Sequence, residues 1–241
     1  MIEKSKAVVL KSIKYSESSL ILTLYTQAAG RQSYLLNGVR STKSKQKAGI
    51  LQPMFLLDVE AMHKPGREMQ RLKEFRLAEI YHSIPFDVVK STMSIFLSEV
   101  LYKALQNVEP DRDFFDFIYH SMQYLDSLDE GVANFHLWFL IRGLSSLGYA
   151  LNNNHTSSMP WFDLKTGSFV SSKPNIPETP NRDLSVYLSD FIGLDLHQLK
   201  SYRMAGSMRA RMLETLVRFY TLHLDGMGEI RSLQVMREVF H

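Results

Sequence analysis

The chain has 241 residues, of which 45% are hydrophobic, enough for one large or two modest domains with buried cores. It has no cysteine and a formal net charge of only +3, which excludes disulfides, thiolate zinc or iron–sulfur centres and a thiol nucleophile. No apolar run approaches the roughly 18 residues that cross a bilayer, and the first dozen residues lack a signal-peptide pattern, so a soluble cytoplasmic protein with no membrane partner is expected.

The first eighty residues read as strands. KAVVLKSIKY (6–15) is β-branched, and LILTLYT (20–26) runs through Gln27-Ala28-Ala29-Gly30 into RQSYLLNGV (31–39), the pattern of a hairpin with a short glycine-ended connection. FLLDVEAM (55–62) sets Leu57, Val59 and Ala61 on one face and Asp58 and Glu60 on the other. HKPGRE (63–68) is a tight turn, and MQRLKEFRLAEI (69–80) is a strand or a strand-to-helix passage. Five short strands in this length suit a small closed barrel, because closure removes exposed edges, and an OB-fold is the candidate of that size.

Beyond residue 80 the period becomes helical. VVKSTMSIFLSEVLYKAL (88–105) keeps one apolar stripe, and the next segment places Phe114, Ile118, Met122 and Leu125 together. VANFHLWFLIRGLSSLGY (132–149) is apolar nearly all round and is expected at the centre of a bundle. Further helices fit 207–224, with Ser207 as N-cap, and 231–240. Residues 152–183, rich in Asn, Ser, Thr and Pro, form an insertion in which WFDLKTGSFV makes a hairpin turning at Lys165-Thr166-Gly167. The expected fold class is therefore α+β and multi-domain: a small β-barrel (1–80) followed by an α-helical bundle domain (81–241) with a short hairpin-containing insertion.

Charge is unevenly placed. Residues 1–80 carry fourteen Lys/Arg against seven Asp/Glu, whereas the remainder carries fourteen against eighteen. From Arg31 to Leu57 there is no acid at all. A solvated face normally mixes signs, so a basic head on a mildly acidic body points to a polyanionic partner. Arg31, Arg40, Lys43, Lys45, Lys47, Arg67, Arg71 and Lys73 are the candidate phosphate contacts. Tyr15, Tyr25, Tyr34 and Phe55 lie nearby in sequence; an exposed ring there would stack on bases, but the ordinary reading is barrel core.

Catalytic and metal patterns are missing. Asp111, Asp113 and Asp116 crowd a helix start, where capping explains them. The histidines show no ligand spacing, with His136 and His223 read as packed or surface residues, and no nucleophile is paired with a base, so no enzyme, cofactor or metal is expected. Met204, Met208 and Met212 beside Arg203, Arg209 and Arg211 suggest a surface for an acidic peptide with a hydrophobic end, with Arg142, Arg203 and Arg209 as candidates for its carboxylate. Two other functions suit the same letters: an OB-fold RNA-binding protein, and a helical protein–protein adaptor.

Several stretches carry a resemblance to a known family. AVVLKSIKYSESSLILTLYTQAAGR (7–31), the basic NGVRSTKSK (37–45), LQPMFLLDVEAMHKPGREMQRLKEFRL (51–77), LIRGLSSLGYA (140–150) and HLDGMGEIRSLQVMREVF (223–240) are similar to segments of the bacterial recombination mediator family RecO. The resemblance spans most of the chain except 152–183. It implies an N-terminal OB-fold and a helical domain in a non-enzymatic, nucleoid-associated protein of DNA repair and recombination. It also implies binding of single- and double-stranded DNA, strand annealing, and loading of RecA with RecR onto DNA coated by single-stranded-DNA-binding protein. The acidic C-terminal tail of that coat protein would be held by the helical domain. Many relatives carry two Cys pairs, a zinc site, after the Leu-Gly-Tyr helix; here that place reads LNNNHTSSMPWFDLKTGSFVSSKP, and the hairpin around Trp161 and Phe162 is expected to hold by packing without metal.

Overall fold

The computed structural model describes residues 2–38, 49–64, 66–106, 108–177 and 179–240. Five strands, β1 (Ile2–Ser16), β2 (Ser19–Thr26), β3 (Gly30–Asn37), β4 (Leu56–Met62) and β5 (Met69–Leu77), close a barrel in the order β1-β2-β3-β5-β4. Every neighbouring pair is antiparallel except β3 and β5, which run parallel through Ser33–Met69, Tyr34–Gln70 and Leu35–Arg71. The glycine-ended hairpin forms as expected: Gly30 has φ 64°, and the Thr26 hydroxyl donates to the Gly30 carbonyl at 3.2 Å. Leu57, Val59 and Ala61 turn inward to join Ala7, Leu22, Leu24 and Tyr34, while buried Tyr25 faces outward against Phe114 and Phe115. Burial of each such large apolar side chain stabilises the barrel by ~1.5–3 kcal/mol. Residues 69–77 are strand throughout, with Gln70 and Leu72 inward and Met69, Arg71 and Lys73 outward.

Strands give way to helices between Leu77 and Val88, but the compact units divide elsewhere, as Met1–Ser127 and Leu128–His241. The first unit therefore includes α1 (Val88–Ala104) and α2 (Arg112–Ser127) as well as the barrel. α1 starts where the Asp87 carboxylate accepts from the N–H groups of Val89 and Lys90, at 2.8 and 3.0 Å, and packs on β1. α2 starts at an Asp111 cap on the Phe114 N–H at 2.9 Å. Its buried stripe is Phe114, Ile118, Met122 and Leu125.

In the second unit α3 (Val132–Ser146) is the buried centre, with Phe135, Leu137, Leu140 and Leu144 fully covered. The expected hairpin is present as β6 (Trp161–Asp163) and β7 (Ser168–Val170), with Gly167 at φ 64°. It is followed by α4 (Arg182–Gly193), a 3-10 turn (Leu196–Lys200), α5 (Gly206–His223) and α6 (Ser232–Val239). Two details depart from the sequence expectations. α4 is a helix missing from them: it is short, anchored by only Leu184, Leu188 and Phe191, and follows a proline-rich stretch. α5 begins at Gly206 with Ala205 as its cap residue, so Ser207 lies inside the first turn and does not cap it. The N–H groups of Met208 and Arg209 go instead to the Ala205 carbonyl, at 3.1 and 3.0 Å.

A basic groove on the barrel

The turn between β4 and β5 carries Lys64 and Arg67. Gly66 takes φ 76°, the left-handed backbone that glycine adopts without strain, and the Arg67 N–H reaches the Lys64 carbonyl at 3.4 Å. Underneath, the buried side-chain amide of Gln70 accepts from the Lys64 N–H at 2.8 Å. It donates to the carbonyls of Lys64 and Arg67 at 3.1 and 2.8 Å. A single amide thus satisfies three backbone groups and fixes where both cations leave the chain.

Lys64, Arg67 and Arg71 line a groove of about 290 Å3 together with Leu35, Asn37, Met62, Met69 and Gln70, and no acid is among its lining residues. An adjoining groove shares Asn37, Met62 and Arg71 and adds Lys73 together with Glu60 and Glu74. Lys64, Arg67, Arg71 and Lys73 are all exposed, and none forms an ion pair among the described residues. Another cleft on the barrel, about 860 Å3, behaves differently. There Lys4 pairs with Glu60 at 2.7 Å, Arg76 with Asp58 at 3.0 Å, and the Lys6 ammonium donates to the Tyr119 hydroxyl at 3.2 Å. Two of its cations are thus paired with acids, whereas the smaller groove has no acid among its lining residues to pair with.

Of the candidate phosphate contacts, Arg67, Arg71 and Lys73 are brought together, and Lys64 joins them. The Lys64 signal was the Pro-Gly turn itself, which places positions 64 and 67 side by side. Arg31 is elsewhere: its guanidinium carbon sits 4.6 Å above the Tyr102 ring of α1, which also receives the Lys11 ammonium at 4.3 Å. Arg40, Lys43, Lys45 and Lys47 lie outside the described residues; the chain enters their segment from Asn37 and Gly38, and Asn37 lines both grooves. Of the four aromatic rings, Tyr25, Tyr34 and Phe55 are core, at 0, 1 and 8% exposure, while Tyr15 is 64% exposed. Strand β3 and the β4–β5 turn are the surfaces by which OB barrels take oligonucleotides.

Comparison with known proteins agrees in both parts of the chain. The family model described as Recombination protein O N terminal matches residues 1–81, and that described as Recombination protein O C terminal matches residues 85–233. The chain belongs to the RecO family. The DNA repair protein RecO of Flavobacterium psychrophilum is 34% identical over 98% of both chains. Those of Bacteroides fragilis and Christiangramia forsetii are 32% and 35% identical over the whole of both chains.

In the second unit the three arginines chosen for a peptide carboxylate each donate to groups of the chain itself. Arg142 donates to the Leu194 carbonyl at 2.9 Å, and Arg209 donates to the Asn134 side chain and the Met204 carbonyl at 3.1 and 3.0 Å. Both are half-buried braces. Arg203 is exposed and donates to the Lys200 carbonyl at 3.0 Å. A groove that sequence reasoning missed lies between α4, α5 and α6. Arg211, Arg218 and Arg237 line it with Leu184, Val217 and Leu233, and Glu214, its one acid, pairs with Arg237 at 2.6 Å. Only packing brings residues 184, 211 and 237 together, so no local pattern announces it. His136 is buried in α3, and burial, with the Arg209 charge second, lowers its pKa to about 3, which keeps it neutral.

The residues after α3 do not fit zinc. Both side-chain atoms of Asn154 are engaged by Phe169, the carbonyl accepting from its N–H at 2.8 Å and the amide donating to its carbonyl at 2.9 Å. His155 packs edge-on against the Phe169 ring at 5.0 Å. Asn153 joins Ser189 of α4 through two hydrogen bonds of 2.7 and 3.1 Å. Phe162 and Phe169, T-shaped at 5.1 Å, fill the hairpin core. Among the described residues no group of three or more His, Cys, Asp or Glu is arranged to hold a metal, and no helix is long and apolar enough to cross a membrane.

Proposed function

We propose that this RecO-family chain is a DNA-binding mediator of repair and recombination that binds single- and double-stranded DNA, anneals complementary strands, and cooperates with RecR in loading RecA. The observation that carries the reading is the acid-free groove of Lys64, Arg67 and Arg71 opening beside Asn37, from which the chain enters the segment of Arg40, Lys43, Lys45 and Lys47. Cations without carboxylate partners neutralise phosphates by releasing condensed counterions, and they do so without reading bases. That suits annealing, in which two mutually repelling strands of any sequence must be held at once. The names of the relatives, each a DNA repair protein RecO, support the same reading.

For the acidic tail of the single-stranded-DNA-binding protein, the groove of Arg211, Arg218 and Arg237 gathers three arginines in one place, whereas Arg142 and Arg209 are half-buried and brace groups of the chain itself. It sets three arginines beside Leu184, Val217 and Leu233, a combination that matches an acidic peptide with a hydrophobic end.

The test is affinity for DNA as a function of salt. The slope of log affinity against log salt is expected to be steep and to flatten by ~0.7 per cation removed for single strands when Arg40, Lys43, Lys45 and Lys47 become Ala. An unchanged slope removes that segment from the interface, and equal or better competition by matched RNA favours an RNA-binding protein instead. In parallel, an acidic peptide ending in Phe should bind the wild type and lose affinity with Arg211→Ala; equal binding by both rejects the groove on α5.

A further inference from the structure

We propose that Tyr15 is a base-stacking residue that selects unpaired strands, an assignment that rests on the DNA-binding reading above and names the substrate class of one of its contacts. β1 and β2 continue as a two-stranded ribbon in which residues 11–17 are all exposed. The register passes from Lys14–Leu20 directly to Ser16–Ser19, so Tyr15 is the extra residue of a β-bulge. Bulges bend a strand and re-aim a side chain, and this one leaves a large ring 64% exposed on hydrogen-bonded backbone. Exposed Lys14 precedes it, and Glu17, the acid of the turn, has a partner of its own.

The bulge is linked to the basic groove through the strand ladder. Ser19 pairs with Ser16 on one side and with Asn37 on the other, and its hydroxyl donates to the Asn37 side chain at 3.0 Å. Two ladder steps of about 4.8 Å therefore separate the bulge from Asn37, which lines both grooves. A strand whose phosphates meet Lys64, Arg67 and Arg71 can then lay a base on Tyr15. Paired bases in a duplex offer no free face, so the ring acts on single strands only, while the groove serves both forms.

The experiment measures binding of the full chain to three probes of equal length: a single strand, the same strand made of abasic sites, and a duplex. Tyr15→Ala is expected to weaken the single strand roughly 5- to 150-fold. The abasic strand and the duplex should change by less than about twofold, with the salt slope unchanged because no charge is lost. Tyr15→Trp, which keeps a stacking face, should bind the single strand at least as well as the wild type. Equal losses on all three probes would mean that Tyr15 only shapes the ribbon, and unchanged single-strand binding would remove it from the interface; either overturns the assignment and leaves the groove standing. Failure of the wild type to bind any probe rejects the DNA-binding reading, and this assignment with it.

Discussion

Gln70 is the residue whose removal separates position from charge. Its amide lies at 8% exposure beneath the turn and makes three hydrogen bonds, to the Lys64 N–H and to the Lys64 and Arg67 carbonyls. Gln70→Met keeps length and shape but removes all three. Each bond contributes ~0.5–1.5 kcal/mol net, and groups freed at a surface turn can turn to water, so the expected loss of stability is about 1–3 kcal/mol. At roughly 2–4 °C per kcal/mol for a chain of this size, the melting midpoint should fall by a few degrees up to about ten. Once loosened, the turn must be re-ordered when DNA binds, at ~1–2 kcal/mol for each backbone position newly fixed. Affinity should therefore drop roughly 5- to 30-fold if one position is affected. No charge is lost, so the slope of log affinity against log salt should stay within about 0.3 of the wild type, whereas Arg67→Ala should lower it by ~0.7 on single strands. Fluorescence anisotropy across a salt series reads both quantities. A melting midpoint that falls while affinity holds would refute the claim that this turn presents its cations to the ligand.

Two further outcomes follow from the frame around the site. The Asp126 carboxylate accepts from the N–H groups of His82, Ser83 and Ile84 at 2.8, 2.9 and 2.9 Å; burial raises its pKa, but these bonds and the Ser83 hydroxyl outweigh burial and hold it below the ordinary carboxylate value. A depressed folded-state pKa stabilises above the unfolded value and the benefit disappears as pH falls through the folded value, so the melting midpoint should drop below about pH 4, and Asp126→Asn should show a shallower acid limb. Asn154→Ala should destabilise the 128–241 unit by about 2–3 kcal/mol, because two backbone groups of Phe169 lose their partner, while a strong chelator leaves the melting curve of the wild type in place. A midpoint lowered by chelation would show that a metal holds the hairpin after all.

What the sequence discloses and what it conceals follow from the range of each interaction. The barrel was legible because its evidence is local: alternation in 55–62, the glycine at position 30 and the Pro-Gly turn each constrain residues a few places apart. The central helix was legible because a segment apolar on every side has nowhere to lie but inside. α4 escaped because its stripe of Leu184, Leu188 and Phe191, though at helical spacing, is short and follows directly on a proline-rich stretch that reads as loop. The surroundings of Arg142 and Arg209 were hidden for another reason: an arginine reads the same whether it awaits a carboxylate or braces a carbonyl fifty-two residues away, as Arg142 does. Charge counts say how many cations a region holds, and the fold alone says which of them are already occupied.

Occupation also explains why one barrel carries two clefts of opposite character. On β4 and the second half of β5, Asp58 and Glu60 alternate outward and face Arg76 and Lys4, so those four charges are paired. The bulge in β5 between the Glu60–Glu74 and Ala61–Leu72 pairs shifts the outward register at Lys73, and before it Met69 and Arg71 face out with no acid opposite. A single extra residue in the ladder thus divides a paired face from an unpaired one. Deleting Lys73 would restore a continuous register, bring the outward acids toward Arg71, and weaken binding of duplex and single strand alike. If affinity and salt slope both survived that deletion, the separation of the two faces would have no part in holding DNA.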